Sequence, residues 1–275
     1  MVATPIGNLR DITLRALDVL RAADLILAED TRVARKLLTA HAISPKRLLA
    51  YHEHDARAGA AALETIQAGG AVALISDAGT PLLSDPGYPL VRDAAAAGHR
   101  VAPIPGASAM LAALTASGLP ATRVLFAGFA PPKTAARRTF LATLAPIEAT
   151  LVLFETGPRL AESLRDMAEV LGPRPAAVCR ELTKLFEEIR RGSLAELAEA
   201  APGAETRGEH VIVVGPPLEE EESVGAERLD ETLRAALAEQ SLKDAAATVA
   251  EALGLPRREV YARALALKAG DAGAG

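Results

Sequence analysis

One loop limits what this chain can fold into more than any other feature. Ile75-Ser76-Asp77-Ala78-Gly79-Thr80-Pro81-Leu82-Leu83-Ser84-Asp85-Pro86-Gly87 follows the apolar run Ala71-Val72-Ala73-Leu74-Ile75. That run reads as a buried strand of a parallel sheet. Open α/β sheets bind ligands where loops leave the carboxyl ends of their strands. Glycines and prolines bend this loop, while Asp77, Asp85, Ser76, Thr80 and Ser84 make it polar. Such a segment can bring bare backbone N–H and C=O groups close to a ligand. A turn that only reverses direction needs about four residues, so the length of this one predicts a ligand site.

The flanking sequence supplies the sheet. Short apolar runs at 2–3, 25–28, 48–51 and 101–104 alternate with segments of helical spacing, a pattern that predicts a mostly parallel sheet. Ser117-Gly118-Leu119-Pro120 then breaks the chain. A second group of strands is expected at 124–126, 150–154, 177–179 and 210–214, with helices through 139–144, 159–171 and 194–200. At 275 residues the chain exceeds one ordinary domain. The expected division is 1–117 and 118–217 as two α/β domains, 218–225 as an acidic linker, 226–269 as a helical appendage and 270–275 as a disordered tail.

Composition removes several classes of function. The net charge of −5 gives no global attraction to nucleic acid or anionic lipid, although a local basic face is compatible with it. Cys179 is the only cysteine, so an intrachain disulfide or thiolate zinc site is excluded; within Ala176-Ala177-Val178-Cys179 it reads as an inert strand residue. No apolar run approaches the ~20 residues that span a membrane. Arg10, Asp11 and Arg15 interrupt any signal-peptide core. A cytoplasmic protein is expected.

Three loops follow strands of the first half and are expected to converge: 4–8, 76–87 and 105–109. The last is a Pro-Gly turn before a helix, where N–H groups face outward. The G-x-G-x-x-G, G-x-x-x-x-G-K-[ST] and G-x-S-x-G patterns are all missing, which argues against common dinucleotide enzymes, P-loop NTPases and serine hydrolases. His52-Glu53-His54 lacks a third ligand nearby and the H-E-x-x-H spacing, so a polar surface or substrate contact is favoured over a metal site. Glu29-Asp30-Thr31-Arg32 reads both as a helix start and as strand-end chemistry. Arg180-Glu181-Leu182-Thr183-Lys184, with Glu187, Glu188, Arg190 and Arg191, reads equally as a solvated surface and as a substrate-facing cluster. Lys133, Arg137 and Arg138 form a basic patch able to neutralise phosphates if folded nearby.

Taken in order, Val2–Leu9, Ala28–Arg32, Ser76–Gly87, Ile104–Ala109 and Arg180–Gly192 closely resemble one family. It is the ribosomal RNA small-subunit methyltransferase I family of the tetrapyrrole (class III) methylase superfamily. The resemblance covers essentially the whole chain. One departure is that members usually carry a few more apolar residues before Val2, so the first strand reads as shortened.

The resemblance implies two α/β domains of the tetrapyrrole methylase type with a cofactor cleft between them, plus a small helix-turn-helix-like C-terminal appendage. It implies 2′-O-methylation of a cytidine ribose in 16S rRNA within the small ribosomal subunit, with S-adenosyl-L-methionine as methyl donor, by a homodimer. Carried over by motif, Pro5, Ile6, Gly7, Asp77, Ala78, Gly79, Thr80, Asp85, Pro105, Gly106, Ser108 and Ala109 would bind the cofactor. Phe154, Glu155, Glu209 and His210 would join them from the second half. No metal is expected, because methyl transfer from a sulfonium mainly requires positioning.

A ribose hydroxyl is a poor nucleophile and should need an oriented base or a nearby cation. The catalytic candidates are Lys184, Glu181, Arg180, Glu29 and Asp30. Lys184 is favoured, because burial beside Arg180 would make its neutral amine available. A same-fold enzyme acting on a porphyrinoid or a protein competes with this reading. So does a noncatalytic ribosome-binding module.

Overall fold

A computed structural model describes residues 1–53, 55–201, 208–217 and 226–271. The expected linker 218–225, His54 and residues 272–275 of the expected tail lie outside the described residues. The chain divides into two compact units, Met1–Pro217 and Leu218–Gly275.

The first sheet has the order β2-β1-β3, formed by Leu48–Ala50, Leu25–Ala28 and Val72–Ile75, and it is parallel throughout. Its strands are short and apolar because both faces are covered. On one face α1 (Leu14–Ala22) and α2 (Thr31–Ala40) help bury Ile26, Ala28 and Ile75. On the other, α3 (Ala56–Gln67) and α4 (Tyr88–Ala96) help bury Leu25, Leu27 and Leu74. The expected outer strands are reduced to a single parallel bridge, Val2 to Ile104, beside β3. Pro103 and Pro105 flank Ile104 and lack the N–H groups a longer ladder needs.

The second sheet has the order β4-β5-β8-β6-β7. These strands are Val124–Phe129, Thr150–Thr156, Glu209–Val214, Pro175–Arg180 and Glu188–Ser193. Only β4 and β5 pair in parallel; the remaining pairs are antiparallel. The strand β7, Glu-Ile-Arg-Arg-Gly-Ser, was unexpected. Its charged residues suit an edge strand, where they discourage pairing with another chain. Helices α6 (Thr134–Leu144), α7 (Leu160–Leu171) and α8 (Leu194–Glu199) cover one face of this sheet. Helix α5 (Ala109–Ser117) lies on the other, where Ala113 and Leu114 meet Val152, Ala177, Val211 and Val213. Thus α5 leaves a loop of the first sheet and packs on the second.

Two of the three residues of the expected basic patch, Arg137 and Arg138, are structural, while Lys133 is exposed. Arg137 is fully buried and donates to Asp166 Oδ2 at 2.6 Å and to the Pro132 carbonyl. Arg138 donates to Asp166 Oδ1 at 2.7 Å and pairs with Glu169. Both guanidiniums fasten α6 to α7, which removes them as a phosphate site.

In the second unit, α9 (Ala226–Glu239), α10 (Leu242–Leu253) and α11 (Arg257–Asp271) share a small core of Leu233, Val249 and Val260. Gly254, at φ +65°, ends α10 in the left-handed conformation. Arg263 and Asp230 form a two-pronged ion pair between α11 and α9. Among the described residues no helix is long and apolar enough to cross a membrane.

Candidate active site

The three loops do converge. Thr4 and Gly79 exchange backbone hydrogen bonds at 2.8 and 3.1 Å, and Thr80 donates its hydroxyl to the Ala107 carbonyl at 3.2 Å. The central loop is held in an uncommon backbone shape, since Gly79, Leu82, Ser84 and Gly87 all have positive φ. For Leu82 and Ser84 this carries strain of the kind that clusters at functional sites. Glu53 accepts the Gly87 N–H at 2.9 Å, so the residue between the two paired histidines serves to fix the loop's exit.

The first loop also meets the second half. A Cβ on Gly7 would stand 2.5 Å from Lys184 Cγ and 2.8 Å from Thr183 Oγ1. Only glycine permits this approach. The Asn8 N–H donates to Thr183 Oγ1 at 3.2 Å. Thr183 and Glu181 themselves sit at positive φ.

Between the loops and the second sheet lies a cleft of about 320 Å³. Its polar side is built by Asp77, Thr80, Asp85 and Ser108 from the loops, with Glu29, Glu181 and Glu209. Its apolar side is built by Ile6, Leu83, Phe129, Phe154, Leu182 and Val211. Phe154 packs edge-on against Phe126 and Phe129, at centroid separations of 4.9 and 5.5 Å. An otherwise aromatic-poor chain therefore places two phenylalanines on this wall, with Phe126 packed against one of them.

The cleft is electrostatically negative. Burial pushes the Asp85 carboxyl up to about 6; the Ser76 hydrogen bond opposes this, and the charges of Glu29, Asp77 and Glu209 reinforce it. Glu29 is raised in the same direction, first by burial and then by Asp77. Among the described residues Lys184 is the one lysine or arginine on the lining, and its Nζ lies 3.0 Å from Glu181 Oε1. A cavity with this balance suits a cationic ligand with an apolar body.

Most of the expected residues border this cleft: Ile6, Asp77, Ala78, Gly79, Thr80, Asp85, Ser108, Ala109, Phe154, Glu155, Glu209 and His210, with Glu29, Glu181 and Lys184. Strand alternation divides them further. Phe154, Cys179 and Val211 belong to the cleft-side core. Their neighbours Glu155, Arg180 and His210 direct their side chains to the opposite face. Glu155 there accepts from Ser163, Arg159 and the Thr156 N–H. Arg180 and His210 line a separate cavity of about 40 Å³, where burial and then Arg180 lower the His210 pKa.

Four expectations therefore shift. Arg180 lines the small cavity on the opposite face, while Lys184 borders the cleft and pairs with Glu181. Asp30 caps α2 and pairs with Arg32, which pulls its carboxyl down to about 2, while its N–H donates to Asp77 at 2.9 Å. Gly106 packs against Ala3, where a Cβ would come within 3.0 Å, and neither it nor Pro105 lines the cleft. Pro5 and Gly7 line an adjoining cavity of about 350 Å³. Leu83, Phe129, Leu182 and Val211 were unexpected lining residues. Cys179 reaches the cleft floor, and burial pushes its thiol up to about 11, which suits a wall residue better than a nucleophile.

Comparison with known proteins agrees with this architecture. The family model described as Tetrapyrrole (Corrin/Porphyrin) Methylases matches residues 1–198, and that of the RsmI C-terminal HTH domain matches 222–268. Proteins named Ribosomal RNA small subunit methyltransferase I are similar over nearly the full length. That of Mesorhizobium japonicum is 51% identical, covering 98% of this chain and 91% of the relative. That of Pseudomonas aeruginosa is 49% identical, covering 96% and 95%. Among solved structures, a cobalt precorrin-4 methyltransferase superposes with TM-score 0.58 at 20% identity, covering 78% of this chain and 92% of that one. A diphthine synthase superposes with TM-score 0.60 at 16% identity, covering 78% and 88%. These last two likenesses establish the fold alone. The chain belongs to the tetrapyrrole methylase family and, within it, to the ribosomal RNA small subunit methyltransferase I family.

Proposed function

We propose that this protein is an S-adenosyl-L-methionine-dependent methyltransferase that methylates the 2′-hydroxyl of a cytidine in 16S rRNA of the small ribosomal subunit. The observation that carries the substrate is the near-full-length identity to relatives named for ribosomal RNA small subunit methylation. The cleft supports the methyl donor. Its carboxylates suit a sulfonium, and its Phe129, Phe154 and Val211 wall suits an adenine. In this reading residues 1–117 and 118–217 are the two domains that form the cleft, and 226–269 are the appendage. The family resemblance extends the proposal to a homodimer in the cytoplasm.

S-adenosylmethionine supplies an activated methyl group: the ribose oxygen gains a bond to the methyl carbon as the sulfur–carbon bond breaks and its electron pair returns to sulfur. The protein's task is to align the two partners and to manage one proton. Lys184 acts as the cation beside the developing negative charge on the ribose oxygen. Its pairing with Glu181 fits this role better than that of a neutral base. Glu209, in the same wall, takes the hydroxyl proton.

The test is transfer of radiolabelled methyl from S-adenosylmethionine to small ribosomal subunits lacking the modification, with uroporphyrinogen in parallel. RNA digestion and mass spectrometry then locate the label. A single 2′-O-methylcytidine is expected. Label in the porphyrinoid, or no label in RNA, would refute the assignment.

A further inference from the structure

Two cavities of similar size adjoin in the first unit. The second, of about 350 Å³, opens between the Thr4–Gly7 loop and α2. It shares Ile6, Asp77, Ala78, Lys184 and Glu209 with the acidic cleft. A direct methyl transfer requires two ligands to abut, with the reacting atoms about 3 Å apart. Two separate chambers with one common wall meet that requirement.

Their private linings differ in charge. Glu29, Asp85 and Glu181 border only the cleft, whereas Lys36 borders only the second cavity. Exposed Arg32 and Arg35 lie on the same helix as Lys36. The second cavity also has an apolar mouth left open to solvent: Leu9 is 46% and Val33 36% exposed. Open apolar surface can cover the face of an unstacked base, and neighbouring cations can hold its phosphate.

Resting on the function proposed above, we infer that this second cavity holds the nucleotide that receives the methyl group. Leu9, Val33 and Leu37 form the face against the base, and Lys36 contacts its phosphate. A nucleotide inside a folded RNA must leave its stack to enter such a chamber. Its ribose then lies against the shared wall, next to Lys184 and Glu209.

Two substitutions on the exposed side of α2 test this, Val33→Trp to fill the cavity and Lys36→Glu to reverse its charge. Arg100→Glu, an exposed position preceding the Ile104 bridge, controls for a general charge effect. The measurements are fluorescence anisotropy with a labelled small-subunit RNA fragment, calorimetric titration with S-adenosylmethionine, and steady-state methylation. Both α2 variants should weaken RNA binding and raise the RNA KM by about tenfold or more. They should keep cofactor affinity and thermal midpoint, and Arg100→Glu should match the wild type. RNA affinity and KM unchanged in both α2 variants, or reduced equally by Arg100→Glu, would overturn the inference. A wild-type protein that binds no S-adenosylmethionine and labels no RNA would instead overturn the function on which it rests.

Discussion

The two sheets meet the cleft in different ways. The first presents tightly shaped loops and acids: backbone at positive φ, glycines that admit close approach, and the carboxylates of Glu29, Asp77 and Asp85. The second presents side chains: phenylalanines, Val211 and Leu182 on the wall, and the ion pair Lys184–Glu181 at the rim. Parallel strands all deliver their loops to one edge, so the first sheet can gather three loops at one point. A mixed sheet sends alternate connections to opposite edges and instead offers a broad face. The difference assigns the loop-borne carboxylates to one half and most of the apolar wall to the other.

The largest expected effect tests whether the second half is a rigid platform. Asp166→Ala strands buried Arg137 without its carboxylate. It should lower stability by about 3–5 kcal/mol in denaturant titration. A loss under about 1 kcal/mol would mean that Arg137 finds another partner. Next comes chemistry at the rim. Lys184→Ala should reduce kcat by about a hundredfold while calorimetry finds S-adenosylmethionine affinity little changed. Methylation at the wild-type rate would end the assignment of Lys184.

The contact between the halves is the third point of attack. In Gly7→Ala the new Cβ meets Lys184 Cγ, Thr183 Oγ1 and the Leu182 carbonyl. By displacing Lys184, the change should lower kcat about tenfold, with a loss of roughly 1–3 kcal/mol in stability. An unaffected Gly7→Ala protein would separate the first loop from the rim.

Asp85 offers a subtler comparison, of function against stability. Folding raises its pKa from 3.8 to about 6, chiefly by burial. Its contribution to stability is fully present below 3.8 and is lost as pH rises through 6, because the folded chain then carries an unfavourable buried charge. Asp85→Asn should therefore raise the thermal midpoint at neutral pH and weaken binding of the cationic donor. Wild-type donor affinity should improve as pH rises through the same range, and the variant should lose that step. A flat wild-type profile would remove Asp85 from the site.

Much of the site could be read from sequence because its loops follow strands in a parallel arrangement, where chain order fixes the edge. Asp77–Thr80, Asp85 and Ser108–Ala109 all belong to that logic. The second half was less legible for three physical reasons. Strand period is visible, but which parity faces the cleft is not, so Glu155, Arg180 and His210 could not be told from Phe154, Cys179 and Val211. The edge strand β7 carries charges in place of an apolar pattern. Pairing partners such as Arg137–Asp166 and Lys184–Glu181 depend on three-dimensional packing that spacing does not encode.

A crystal structure with S-adenosylhomocysteine would test the central claim most directly, because it locates the donor site itself. The expected result is the adenine against Phe129, Phe154 and Val211, with the sulfur end of the ligand beside Asp77 and Asp85. Ligand in the neighbouring cavity beside Lys36, with the acidic cleft empty, would contradict the division of labour between the two chambers.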